Sequence, residues 1–197
     1  MVITPTALTI ASGGRHVDDV GGLLLARGVD TLTGCAVALA VLYITGRGYH
    51  AARLRTAMTA SLAALAALAP HLASGAVTTD GARAARRDAQ TRAISLLTAY
   101  DAAMESGADA RRSAELMWPA VTAAQRLTYR MLAACWQIQS SAAAPPLTRE
   151  DGRALAAALT GLADANRPDT SPPKASLPAF ASGDVTEIRQ ALSAPER

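Results

Sequence analysis

Between Arg27 and Arg47 the chain reads Gly28-Val29-Asp30-Thr31-Leu32-Thr33-Gly34-Cys35-Ala36-Val37-Ala38-Leu39-Ala40-Val41-Leu42-Tyr43-Ile44-Thr45-Gly46. Asp30 is the one charge in this stretch, and from Gly34 to Ile44 the apolar run is unbroken. A helix rises about 1.5 Å per residue, so roughly 20 such residues cross the hydrocarbon of a bilayer. The spacing predicts a transmembrane helix over 28–46, with an arginine at each end and Tyr43 near one interface. A segment of this marginal length that carries an acid would also serve as the buried core helix of a soluble bundle.

Outward from this helix, the flanks set an orientation. Arg47, Arg53 and Arg55 come directly after it, with Arg83, Arg86, Arg87 and Arg92 further on. Before it stand only Arg15 and Arg27, beside Asp18 and Asp19. Basic residues near span ends favour the cytoplasmic side. The region C-terminal to the helix is therefore expected in the cytoplasm of a bacterial cell, with the helix in the inner membrane. Upstream, Val2-Ile3-Thr4-Pro5-Thr6-Ala7-Leu8-Thr9-Ile10-Ala11 is apolar but too short to span. It has no basic n-region and no small-residue cleavage site, and reads as the end of a helix (1–12) whose beginning is missing. A loop is expected over 13–27.

Composition agrees with an all-α fold. Half of the 197 residues are apolar, yet aromatics make up only 4%. Ala and Leu dominate; they lose little side-chain entropy in a helix, and β-branched residues form no alternating runs. The net charge of +3 comes almost wholly from arginine, Lys174 being the sole lysine. Such an Ala/Arg bias fits a high-GC bacterial coding sequence. No basic patch is interleaved with aromatics, so nucleic acid is not an expected partner.

The uncharged run Thr56–Thr79 is long enough to cross a membrane as well, but nine of its residues are alanine and it contains Pro70 and His71. Met58, Leu62, Leu65, Leu68 and Leu72 fall at three- and four-residue spacing, the mark of one apolar face. This predicts an amphipathic helix from about Tyr49, packed on a partner. A third helix is expected from Thr79 or Asp80 to Gly107, carrying Ile94, Leu97 and Met104. A fourth, from Asp109, bears Met117, Val121, Ala124, Leu127, Met131, Cys135 and Ile138 along one side, with Pro119 kinking it or marking the start of its main part. Together 47–140 should form an antiparallel helical domain. Next come a linker and short helix (141–164), with Leu155, Leu159 and Leu162 on one face. The tail (165–197) should be largely disordered, apart from a terminal helix opened by an Asp184/Glu187 capping box.

No catalytic or metal motif is present. His16, His50 and His71 stand apart; there is no HExxH, no GxSxG and no phosphate loop. Gly13-Gly14 and Gly21-Gly22 come after no strand and do not make a dinucleotide fingerprint. Cys35 and Cys135 belong to no CxxC pair. Neither a cofactor nor an enzymatic activity is expected.

The candidate functional residues are Arg27, Asp30, Thr31 and Gly34. Arg27 and Asp30 are three apart on one side of a helix and can pair, which lowers the cost of an acid at the membrane boundary. The Thr31 hydroxyl can bond back to the preceding turn, and Gly34 removes a side chain where another helix crosses. These residues line a substrate path or, more simply, pack the span: Asp30 caps, Arg27 snorkels, Gly34 admits a neighbour.

The pattern Arg27-x-x-Asp30-Thr31-x-x-Gly34 running into an apolar helix, preceded by Ile3-Thr4-Pro5-Thr6-Ala7-Leu8, resembles the FUSC family of fusaric-acid-resistance-like and aromatic-acid-exporter-like membrane proteins. The likeness covers roughly the first fifty residues. It implies a block of membrane helices ending in this span, a helical cytoplasmic region after it, and efflux of aromatic or other small organic acids. The family has several more membrane helices per block, so the chain is expected to be a C-terminal fragment or the product of a late start. Its expected partners are then the lipid bilayer, further membrane helices of the same protein or of other subunits, and other copies of this chain. The alternative is a membrane-associated or soluble interaction module using the Met58/Leu62/Leu65 and Met117/Met131 stripes as partner surfaces.

Overall fold

The computed structural model describes residues 20–46, 48–141, 144–165 and 177–193, and these form six helices with no strand among them. They are α1 (Val20–Gly46), α2 (Tyr49–Ser74), α3 (Asp80–Met104), α4 (Ala108–Ser141), α5 (Arg149–Ala165) and α6 (Ser182–Ser193). Contacts divide the chain into two units, Met1–Gly46 and Arg47–Arg197. The expected helix end over 1–12 and the first part of the loop lie outside the described residues. From Val20 to Arg27 the chain is helical, not looped. Leu23-Leu24-Leu25-Ala26 are strong helix formers and outweigh the penalty at Gly21-Gly22.

The second unit is a bundle organised on α2, which packs against α3, α4 and α5, while α6 lies chiefly on α4. Every large residue of the α2 stripe (Met58, Leu62, Leu65, Leu68, Leu72) is fully buried, as are Val121, Leu127, Met131 and Cys135 of α4. These stripes are the interior of the domain, so they are not partner surfaces in this fold. Helix α2 ends at Gly75, whose φ of 70° puts it in the left-handed region that glycine enters without a Cβ clash. Its N–H bonds the Leu72 carbonyl at 3.3 Å.

Helix α3 begins as anticipated, with the Thr79 hydroxyl accepting from the Ala82 amide at 3.2 Å. Its buried face is not the one that its bulkiest residues mark. Ala82, Ala89, Ala93, Leu96, Ala99 and Ala103 face the core, whereas Ile94 is 67% exposed and Leu97 also points outward. Small side chains let α3 approach its neighbours closely; a stripe of bulkier residues would hold it away. Helix α4 runs unbroken for 34 residues with Pro119 inside it, so the proline does not mark a new start.

The segments expected as appendages belong to the core. At the head of α5, Thr148 accepts from the Asp151 amide at 3.1 Å, and the Asp151 carboxylate accepts in return from the Thr148 amide and hydroxyl, a reciprocal cap. Leu155, Leu159 and Leu162 are buried. Gly152 meets α2 so closely that a Cβ there would collide with the Ala73 methyl and lie 3.3 Å from the Ala69 carbonyl oxygen. In the expected tail, residues 166–176 and 194–197 lie outside the described residues, but Ala181, Val185 and Ile188 are fully buried.

One residue of this core is mismatched to it. The Ser61 hydroxyl is buried on α2 without a hydrogen-bond partner, and such a group costs about 1–3 kcal/mol. Ser61→Ala, which also raises helix propensity, is expected to stabilise the domain by about 1 kcal/mol. Urea unfolding checks this; an unchanged or lower midpoint would contradict it.

Candidate functional site

Helix α1 carries all four candidate residues, and each described side chain on it is exposed. At about 100° per residue, Arg27, Asp30, Thr31 and Gly34 fall within about 100° of arc, so they share one face. Thr31 donates to the Arg27 carbonyl at 2.8 Å, and Thr33 does the same to Val29. Both hydroxyls are therefore satisfied within the helix, as an apolar environment requires. Nothing lies within 4 Å of a Cβ built at Gly34.

Two details differ from expectation. Asp30 does not cap, because α1 already has ten residues before it. Among the described residues no ion pair joins Arg27 to Asp30 either, and both side chains are exposed. The structure thus brings the four residues onto one stripe but encloses nothing with them.

The rest of α1 is apolar on every side. Leu24, Leu25, Val29, Leu32, Val37, Leu39 and Val41 are all exposed, and none of the window Leu24–Val41 is buried. Helix α2 is also long and apolar enough to cross a membrane, but more than half of it is buried in the bundle. By that measure α2 is a core helix and α1 is not.

Two grooves of the helical domain are lined by described residues. One of ≈ 270 Å³ lies between α2 and α3 and is lined by Arg53, Thr56, Arg92, Ser95 and Thr98 among others. Its polar groups are largely engaged: Thr56 and Thr98 donate to carbonyls of their own helices, and Arg92 donates to Asp88. The other, of ≈ 260 Å³, lies between α3 and α4 beside Ile94, Leu97, Gln125, Tyr129 and Leu132. Among the described residues no three His, Cys, Asp or Glu side chains gather in a way that would hold a metal ion. Cys135 is buried, and that burial pushes its thiol pKa up, away from the reactive thiolate.

The densest polar cluster forms around acids expected in a helix cap. Asp184 and Glu187 do not form a capping box, because Asp184 lies inside the first turn of α6 and faces α4. Its side chain is 4% exposed and accepts from Arg126 and Arg130, each at 3.0 Å. Arg126 also donates to Glu187. Hydrogen bonds to Asp184 and then Glu187 raise the pKa of the Arg126 guanidinium further, so it stays charged throughout the ordinary pH range. The i, i+4 spacing of Arg126 and Arg130 was the available signal, since two adjacent cations on one helix face call for an acid from elsewhere. The cluster is a clamp between α4 and α6.

No family model matches the chain, and no curated protein or solved structure matches it.

Proposed function

We propose that the chain is the C-terminal part of an export-type integral membrane protein, in which α1 is the last span and 47–197 a helical domain on the cytoplasmic side. The observation that carries this reading is the bare apolar surface of α1. A helix apolar all round belongs in a protein interior or in lipid, and the second unit builds its core without it. The satisfied Thr31 and Thr33 hydroxyls suit the same setting. One helix cannot enclose a path, so transport needs further spans, against which Gly34 and the Arg27/Asp30 stripe would pack. Efflux of aromatic or other small organic acids is added by the FUSC resemblance, and the cytoplasmic placement by the arginines C-terminal to α1.

Cys35 lies in the apolar middle of α1 and reports on this directly. With the chain in intact membranes, a water-soluble maleimide is expected to leave Cys35 unmodified until SDS dissolves the bilayer, with sites mapped by mass spectrometry. Full labelling of Cys35 in intact membranes, or release of the chain by alkaline carbonate, would overturn the span. The second reading, a helical interaction module without transport, is favoured by the self-contained core of 47–197 and by the exposed groove between α3 and α4.

A further inference from the structure

The outer face of α3 is arranged symmetrically about one residue. Ile94 stands at its centre, 67% exposed. Seven and eleven residues before it are Arg87 and Arg83; seven and eleven after it are Asp101 and Glu105. Steps of seven and eleven return to nearly the same side of a helix. The four charges and Ile94 therefore lie on one line, about 33 Å long from Arg83 to Glu105 at 1.5 Å per residue. The imbalance extends beyond the line. Residues 80–92 hold four arginines against two aspartates, and residues 101–115 hold four acids against two arginines. Between these ends the face is uncharged, with Leu97 beside Ile94, the neutral Gln90, Thr91 and Thr98 around them, and the ≈ 260 Å³ groove running to Tyr129 on α4. Tyr129 and Trp136 are as exposed as Ile94.

We propose that this face pairs with the same face of a second copy, antiparallel, about a two-fold axis through Ile94. A two-fold contact requires a surface complementary to itself. A basic end, an apolar centre and an acidic end meet that condition only in antiparallel pairing, which sets Arg87 against the partner's Asp101 and Arg83 against the partner's Glu105. A parallel pairing would set arginine on arginine and acid on acid. The contact between the two Ile94 side chains covers the apolar centre, and each groove receives side chains of the opposite copy. The bulky residues that α3 turns away from its own core thereby gain a burial site. An anionic bilayer surface would match only the basic end. The pairing stands independently of where α1 resides.

The test uses the full chain in mild detergent, with mass measured by light scattering and sedimentation. Dimers are expected for the native sequence. Arg87→Asp alone, or Asp101→Arg alone, places like charges opposite each other twice in each dimer, and should raise the dissociation constant about tenfold or more. Combining the two should restore it to within about threefold of the native value. Circular dichroism confirms that these exposed substitutions leave the fold intact. In a second measurement, Ile94→Cys in a Cys35→Ser background should give a disulfide-linked dimer on mild oxidation, whereas Glu150→Cys on α5 should not. A monomeric native chain would overturn the proposal. So would dimers indifferent to both single swaps, as association through α1 would give, or a double variant no better than the singles.

Discussion

Gly152→Val is expected to lower the unfolding free energy of the helical domain by about 3 kcal/mol, at the upper end of the range for overpacked cores. The reason is local and geometric. At the first turn of α5 the backbone passes against α2, and even a single Cβ there would collide with the Ala73 methyl while pressing on the Ala69 carbonyl. Neither neighbour is the free end of a flexible side chain: one is a methyl fixed to the backbone and the other is backbone itself. Valine adds two further carbons to that Cβ and stiffens χ1. Relief must come from moving α5 away from α2, and that movement would loosen the burial of Leu155 and Leu159. For a domain of about 150 residues each kcal/mol shifts the melting temperature by about 2–4 °C, so a fall of about 6–12 °C is expected. Gly152→Ala should show a smaller loss, because better helix propensity offsets part of the collision. Coupling to Ala73→Gly in a double-mutant cycle isolates the contact. A Gly152→Val domain that melts with the native one would show that α5 does not pack on α2 as described.

The second large effect concerns Asp184. Asp184→Ala removes a buried carboxylate that accepts from two arginines, leaving Arg126 and Arg130 one turn apart with only Glu187 to balance them. Removing one partner of a buried pair costs about 3–5 kcal/mol. Here both arginine side chains are about half exposed and regain water, so about 2 kcal/mol is the expected loss. The loss falls on the docking of α6, because the clamp joins that helix to α4, the element it chiefly packs on. Trypsin cleavage at Arg189, within α6, reads undocking directly. If opening precedes cleavage at equilibrium, about 2 kcal/mol corresponds to about thirtyfold faster cutting. Asp184→Asn keeps the shape and one acceptor and should fall between. Equal cleavage of Asp184→Ala and native chains would mean that α6 is held by Val185 and Ile188 alone.

These two positions also mark where sequence reasoning stopped. Periodicity was enough for the α2 and α4 stripes: Met58, Leu62, Leu65 and Leu127 repeat at helical spacing, and each is buried. Local chemistry was enough for the Thr79 cap, because a capping side chain acts on amides within three residues of itself. Periodicity failed on α3, where size points to Ile94 and Leu97 as core residues and the alanines are the core instead. Nothing local distinguishes those outcomes, since the choice depends on how near the neighbouring helices come. It failed also on Asp184, whose partners lie more than fifty residues away, and on Gly152, whose small size matters only because α2 passes there.

By itself, then, the sequence determined the all-helical character, the apolar run of α1 and the Arg27/Asp30/Thr31/Gly34 stripe, because each depends on 3.6-residue periodicity, propensity and charge placement along one helix. The tertiary structure alone decided that the long apolar α2 is a core helix while α1 is left bare, that α5 and α6 belong to the domain core, and that α3 turns Ile94 outward. Those outcomes depend on which surfaces meet, and the close approach of two helices is a property of the pair that neither sequence segment carries alone.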